Sequence, residues 1–113
     1  MGISSDPDAT AMDFGRFSDP ALQILVSLTE CSKHGWAISN DIEERTGRRP
    51  QPATLYGALS RLEERGLVRP GEPEGRRRPY LITDSGLRAL DARLAVLERL
   101  VAVGRQALRS RSA

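Results

Sequence analysis

Apolar side chains recur along this chain at intervals of three or four over four stretches, and the breaks between them fall at glycines and prolines. The first stretch opens at Ser18-Asp19-Pro20, where Asp19 suits an N-cap and Pro20 the first helical position. Leu22, Leu25 and Leu28, with Ile24, then form a stripe, and this helix is expected to end near Cys31–Lys33. After the break at His34-Gly35, a second helix is expected from about Trp36 to Thr46. Ile38 and Ile42 face inward there, while Asn40, Asp41, Glu43, Glu44 and Arg45 face out, and Gly47 stops it. Pro52 opens a third helix. Its buried face carries Leu55, Leu59, Leu62 and Ala58, and Gly66 ends it.

Periodicity then changes. Leu67-Val68-Arg69 and Pro79-Tyr80-Leu81-Ile82 read as two short strands joined by a turn-rich link that ends in Arg76-Arg77-Arg78. Such a hairpin is marginal alone and must pack against the helices. Thr83-Asp84-Ser85-Gly86 caps a last helix expected to reach about Arg109. Leu87, Leu90, Leu94, Leu97 and Val101 repeat at three and four, with Gly104 next on the seam and Leu108 after it. A rod of that length, about 39 Å, outgrows a bundle of three short helices. Part of its seam would stay wet in a monomer, so a second copy is the natural cover.

The organisation read from these patterns is an N-terminal arm at 1–18, a core domain at 19–83 and a dimerisation helix at 84–113. The arm is rich in Gly, Ser, Asp and Ala and reads as flexible or weakly helical, able to fold back on a partner chain. At 113 residues the chain fits one domain that needs no disulfide or metal. The net charge is only +2, but its distribution matters more. Residues 74–113 hold nine arginines against Glu74, Asp84, Asp91 and Glu98, a polarity expected of a phosphate-binding surface. The single cysteine, Cys31, excludes an internal disulfide. No stretch of eighteen apolar residues and no basic-then-apolar leader is present, so the expectation is a soluble, cytoplasmic protein with no membrane partner.

Three helices followed by a basic-tipped hairpin make a winged helix-turn-helix, mainly α with a small β-hairpin, extended here by the long C-terminal dimerisation helix. The third helix fits a major groove. Its face opposite the leucines offers close approach at Ala53 and Gly57, hydroxyls at Thr54, Tyr56 and Ser60, and a guanidinium at Arg61. Its N-terminus adds unpaired N–H groups suited to phosphate. Arg76, Arg77 and Arg78 repel one another unless an anion bridges them, which makes the cluster hard to justify for stability alone.

The runs His34-Gly35-Trp36-Ala37-Ile38, Pro52 through Leu59, Arg61-Leu62-Glu63, Gly66-Leu67-Val68 and Gly75 through Thr83 with Gly86 closely resemble the PadR family of winged-helix repressors, over about residues 20–92. The resemblance implies that the third helix reads the operator through Thr54 and Tyr56. It also implies that Arg76–Arg78 form the wing contacts and that His34, Gly35 and Trp36 lie near the phosphates. Trp36 stands where family members often have tyrosine. The single C-terminal helix resembles the compact subfamily, without a large sensor domain.

Catalysis has no support in the sequence. It lacks a nucleophile elbow, a phosphate loop and a metal-binding pair, and the lone histidine has no obvious carboxylate partner. Cys31 and His34 are spaced like half a metal site with no second half, so neither metal nor cofactor is expected. The expectation is a homodimeric repressor on double-stranded DNA at an inverted-repeat operator. A small-molecule effector would act between the arm or first helix and the last helix. Two alternatives are a winged-helix protein–protein module and a non-specific architectural DNA binder.

Overall fold

The computed structural model describes residues 19–112, and the arm at 1–18 lies outside the described residues. Helix α1 spans Pro20–Ser27, α2 Gly35–Thr46 and α3 Pro52–Glu64; strands β1 (Val68–Pro70) and β2 (Tyr80–Ile82) follow, then α4 (Asp84–Ser112). The Asp19 carboxylate accepts from the backbone N–H of Ala21 at 3.0 Å, the expected N-cap, with Pro20 at the first helical position. The helix ends earlier than its stripe suggested. Leu28 is still buried, but it lies in the turn after Ser27, where the chain swings toward the sheet.

The core gathers one face of each element: Ile24, Leu25 and Leu28, Ile38 and Ile42, the α3 set Leu55, Ala58, Leu59 and Leu62, then Val68 and Leu90. Leu22, placed on the α1 stripe from sequence, packs at its edge. The strands run antiparallel with Val68 opposite Ile82 and Pro70 opposite Tyr80. A further antiparallel bridge joins Tyr80 to Lys33 on the other side of β2, with N–H to carbonyl distances of 2.9 and 3.1 Å. The hairpin is thus stitched to the link between α1 and α2. A sheet this small gains stability from such a tie as well as from packing.

Lys33, the chain's one lysine, carries a second tie. Its ammonium bonds the Asp41 carboxylate and the Ser27 carbonyl (2.7 Å), and the Ser27 hydroxyl donates to Asp41 at 2.6 Å. Asp41 therefore does not face solvent as the α2 pattern suggested. The pattern registers apolarity and cannot show that a cation from another segment waits beside it. Hydrogen bonds from Lys33 and Ser27 hold the Asp41 carboxyl below the ordinary 3.8, against the upward pull of burial. Burial alone would pull Lys33 down, but the Asp41 hydrogen bond and charge, with Glu30 and Cys31 adding, outweigh it and the net is upward.

Thr83 begins α4: its hydroxyl accepts from the Gly86 N–H at 3.0 Å and donates to the Gly66 carbonyl at 2.6 Å. The first turns of α4 pack on α1 and β2. Leu90 is 6 % exposed within its own chain, which corrects its place on the open seam. At that height the helix still lies against the core. Beyond it Leu94, Val101 and Leu108 are exposed and Leu97 is partly covered, while Leu87 is exposed beside the core. Val96, Leu100 and Val103, not counted on the seam, are more than half exposed as well. At 100° per residue Leu100 borders that seam, while Val96 and Val103 lie about 100° or more from it, so the exposed apolar side chains do not form one continuous face.

The Asp41 network has a definite pH signature. A carboxylate whose folded pKa lies below its unfolded value stabilises the fold fully above the unfolded value and loses that contribution as pH falls through the folded one. Asp41→Asn is expected to lower unfolding free energy at pH 7 by about 1–3 kcal/mol and to lessen the drop below about pH 4. Urea unfolding at pH 7 and pH 3 measures both; equal acid sensitivity in the two proteins would contradict the assignment.

Candidate nucleic-acid interface

Burying the α3 leucines leaves the other side of that helix to solvent. Ala53, Thr54, Ser60 and Arg61 are exposed, Tyr56 is 49 % exposed, and Gly57 is partly covered. Proline at the first helical position has no N–H, and Gln51 before it makes no side-chain cap. The following first-turn N–H groups therefore have no partner within the helix and point out with the positive dipole end, an arrangement suited to an anion.

Gly35, the first residue of α2, lies against the Tyr56 phenol; a β-carbon there would overlap the hydroxyl. This close approach brings the start of α2 beside the exposed face of α3. Trp36, next in the chain, is 53 % exposed. Two open clefts meet at this pair of aromatics. One, of about 400 Å³, is lined by His34, Trp36, Tyr56, Tyr80 and the three wing arginines Arg76–Arg78. The other, of about 490 Å³, runs from Trp36 and Tyr56 to Arg49, Gln51 and Pro52. Burial, with Glu63 and Tyr56 nearby, pushes the Tyr80 phenol above its ordinary 10.0, so it stays neutral beside the arginines.

The structure thus brings Trp36, Tyr56 and Arg76–Arg78 around shared space, with the small and hydroxyl side chains of α3 on the same helix face as Tyr56. His34, expected near the phosphates, is engaged by the wing. Its ring is 19 % exposed and turned to the wing, with Nε2 2.8 Å from Glu74 Oε2. A carboxylate partner for the histidine therefore exists, forty positions along the chain. Neither residue carries a local signal of that meeting, because the hairpin has to fold back to create it. Arg49 carries no periodic signal in the sequence. It lines the second cleft while Nη1 bonds Asn40 Oδ1 (2.5 Å) and Glu43 Oε1 (3.3 Å). The basic link that contains it was visible, but its direction was not. Among the described residues no three His, Cys, Asp or Glu side chains are grouped to hold a metal ion.

Residues 24–92 match the transcriptional regulator PadR-like family. This chain belongs to that family. The PadR-like members are transcription regulators rather than enzymes, and the chain carries their winged helix-turn-helix DNA-binding fold. Two solved structures illustrate the likeness. A transcriptional regulator from Clostridium thermocellum superposes with a TM-score of 0.72 at 29 % identity, covering 93 % of this chain and 97 % of its own. A PadR family regulator from Eggerthella lenta gives 0.73 at 27 % identity, over 87 % and 88 %. The chain is also 41 % identical over 85 residues, 75 % of its length, to an uncharacterized 37.1 kDa protein in transposon Tn4556 of Streptomyces fradiae. It spans about a quarter of that relative, 25 %.

In this PadR-like chain the Gly35–Tyr56 contact sets the angle of the exposed phenol. Gly35→Ala is expected to keep the helical far-UV spectrum and to shift Trp36 fluorescence as Tyr56 swings away. Unchanged emission would show that the two aromatics are positioned independently of that contact.

Proposed function

We propose that a symmetric dimer of this chain represses transcription in the cytoplasm by binding double-stranded DNA at an inverted-repeat operator. The observation that carries the reading is the shared cleft: wing arginines, Tyr56 and Trp36 line one space beside the open polar face of α3. Nothing in that arrangement serves the fold, since three neighbouring guanidinium groups repel one another and two large aromatics stay half in water. An anionic duplex relieves both costs. In this reading α3 lies in the major groove, with Ala53 and Gly57 allowing close approach and Thr54, Tyr56, Ser60 and Arg61 facing base edges. Arg76, Arg77 and Arg78 bind the flanking backbone, and Trp36 edges the phosphates with His34 near them, turned to the wing.

The dimer rests on α4. Its outer half presents Leu94, Val101 and Leu108, exposed among the described residues, with Leu100 at their edge and Leu97 partly covered. Leu87 adds to the near end, while Leu90 serves the core. An exposed apolar seam of this length calls for a protein cover, and α4 of a second copy matches it in length and pattern. Paired rods would set two α3 helices one helical turn of DNA apart, about 34 Å. A small molecule favouring one dimer shape, seated between α1 and α4, would release the operator through its differential affinity. Among the described residues no helix is long and apolar enough to cross a membrane.

Selection from a random duplex pool, followed by titration against a scrambled duplex at two salt concentrations, tests the DNA reading. A recovered inverted repeat with steep salt dependence is expected. Equal binding to both duplexes would mean a non-specific architectural binder, and no binding at low salt a protein-docking module. Tyr56→Ala should weaken the selected site by about 1–3 kcal/mol, whereas Arg77→Ala should weaken all duplexes alike and reduce the salt slope by about 1. For the dimer, sedimentation equilibrium is expected to show the doubled mass, reduced to the single mass by Leu100→Asp with Val101→Asp. An unaltered mass in that variant would move the interface elsewhere.

A further inference from the structure

Glu74 is out of place electrostatically. It directly precedes Gly75 and three arginines on the surface proposed to meet a polyanion, where a carboxylate repels phosphate. It makes no ion pair with those arginines among the described residues; its Oε2 lies instead 2.8 Å from His34 Nε2. Among the described residues the buried His34 Nδ1 has no hydrogen-bond partner. An N–H there would be left without an acceptor, so the ring hydrogen sits on Nε2 and donates to the carboxylate.

The two ends of this bond have unequal freedom. His34 is fixed: its carbonyl accepts from Ala37 and Ile38 in the first turn of α2, and the preceding residue is bridged to β2. Glu74 belongs to the exposed wing, where it opens a reverse turn. Its N–H donates to the Arg77 carbonyl at 2.6 Å, its carbonyl accepts from Arg77 at 3.1 Å, and Gly75 takes the left-handed φ of 65° that the turn requires. Holding Glu74 therefore holds Arg77 across the turn, and with it Arg76 and Arg78.

We propose that Glu74 is a positioning residue for the wing, whose hydrogen bond to His34 latches the hairpin tip to the head of α2 and so aims Arg76–Arg78 at the cleft beside Tyr56 and Trp36. The inference builds on the DNA-binding reading for its purpose, but the latch exists without DNA. It also gives His34 its task, which is to hold the wing rather than to touch phosphate directly. The latch leaves the three guanidinium groups without a carboxylate partner among the described residues.

Two substitutions separate positioning from charge. Glu74 is 67 % exposed in its side chain, so neither Glu74→Ala nor Glu74→Gln threatens folding. Glutamine keeps an acceptor for the imidazole N–H and removes the charge. On the best duplex recovered by the unaltered chain, Glu74→Ala is expected to lose about tenfold in affinity, the loss of one net hydrogen bond. Glu74→Gln should stay close to the unaltered chain. Tighter binding by both variants would overturn the proposal, since it would make Glu74 a simple repelling charge, and so would equal binding by all three proteins. Amide spectra without DNA test the latch by themselves. Glu74→Ala should shift the Arg76–Arg78 signals and lower their heteronuclear NOE, with recovery in Glu74→Gln. An unmoved wing would remove the latch whatever the protein binds. If the unaltered chain recovered no duplex, the DNA reading would fail while these spectra still decided the latch.

Discussion

Lys33 is where the parts of this molecule are joined. Its backbone pairs with Tyr80 in β2, and its ammonium bonds the Ser27 carbonyl at the end of α1 and the Asp41 carboxylate in the middle of α2. One residue thus ties two helices and the hairpin, through charge-assisted bonds that are stronger in partly buried surroundings than in water. The candidate interface begins at the next residue. His34, Gly35 and Trp36 take their positions from this junction, and through Gly35 so does Tyr56. Without that bridge the two-stranded hairpin would rely on the packing of Leu67, Val68, Tyr80 and Ile82 against the core.

The long helix divides its work along its axis. Near Thr83 it belongs to the winged domain, with the cap bonded to the Gly66 carbonyl and Leu90 among the core residues. Past Asp91 it leaves the domain behind, and among the described residues most of its apolar side chains are exposed. In the proposed dimer, a change in how the copies pair would move the whole winged domain with this rod. That coupling needs no hinge, because helix and domain share side chains.

The wing mixes attraction and restraint. Arginines supply charge but no fixed direction, since each has many rotamers and their mutual repulsion spreads them. Direction has to come from the backbone that carries them. The Glu74–Arg77 turn and the bond to His34 provide it, and Tyr80 stays neutral beneath them at the foot of the wing.

The helices, their starts at Pro20 and Pro52, the leucine face of α3 and the hairpin with its basic tip were legible in the sequence. Each is set by contacts within a few residues: caps, proline geometry and the 3.6-residue repeat. The polar face of α3 was legible for the same reason, being whatever the leucines leave outside. The inward turn of Asp41, the burial of Leu90 and the pairing of His34 with Glu74 were decided only when distant segments met. Charge partners leave no periodic trace, and a heptad looks the same whether its first turns rest on the home domain or on a second copy. Local pattern therefore determined the elements and their outer faces. The tertiary structure decided which polar groups pair across them and where the core ends along the last helix.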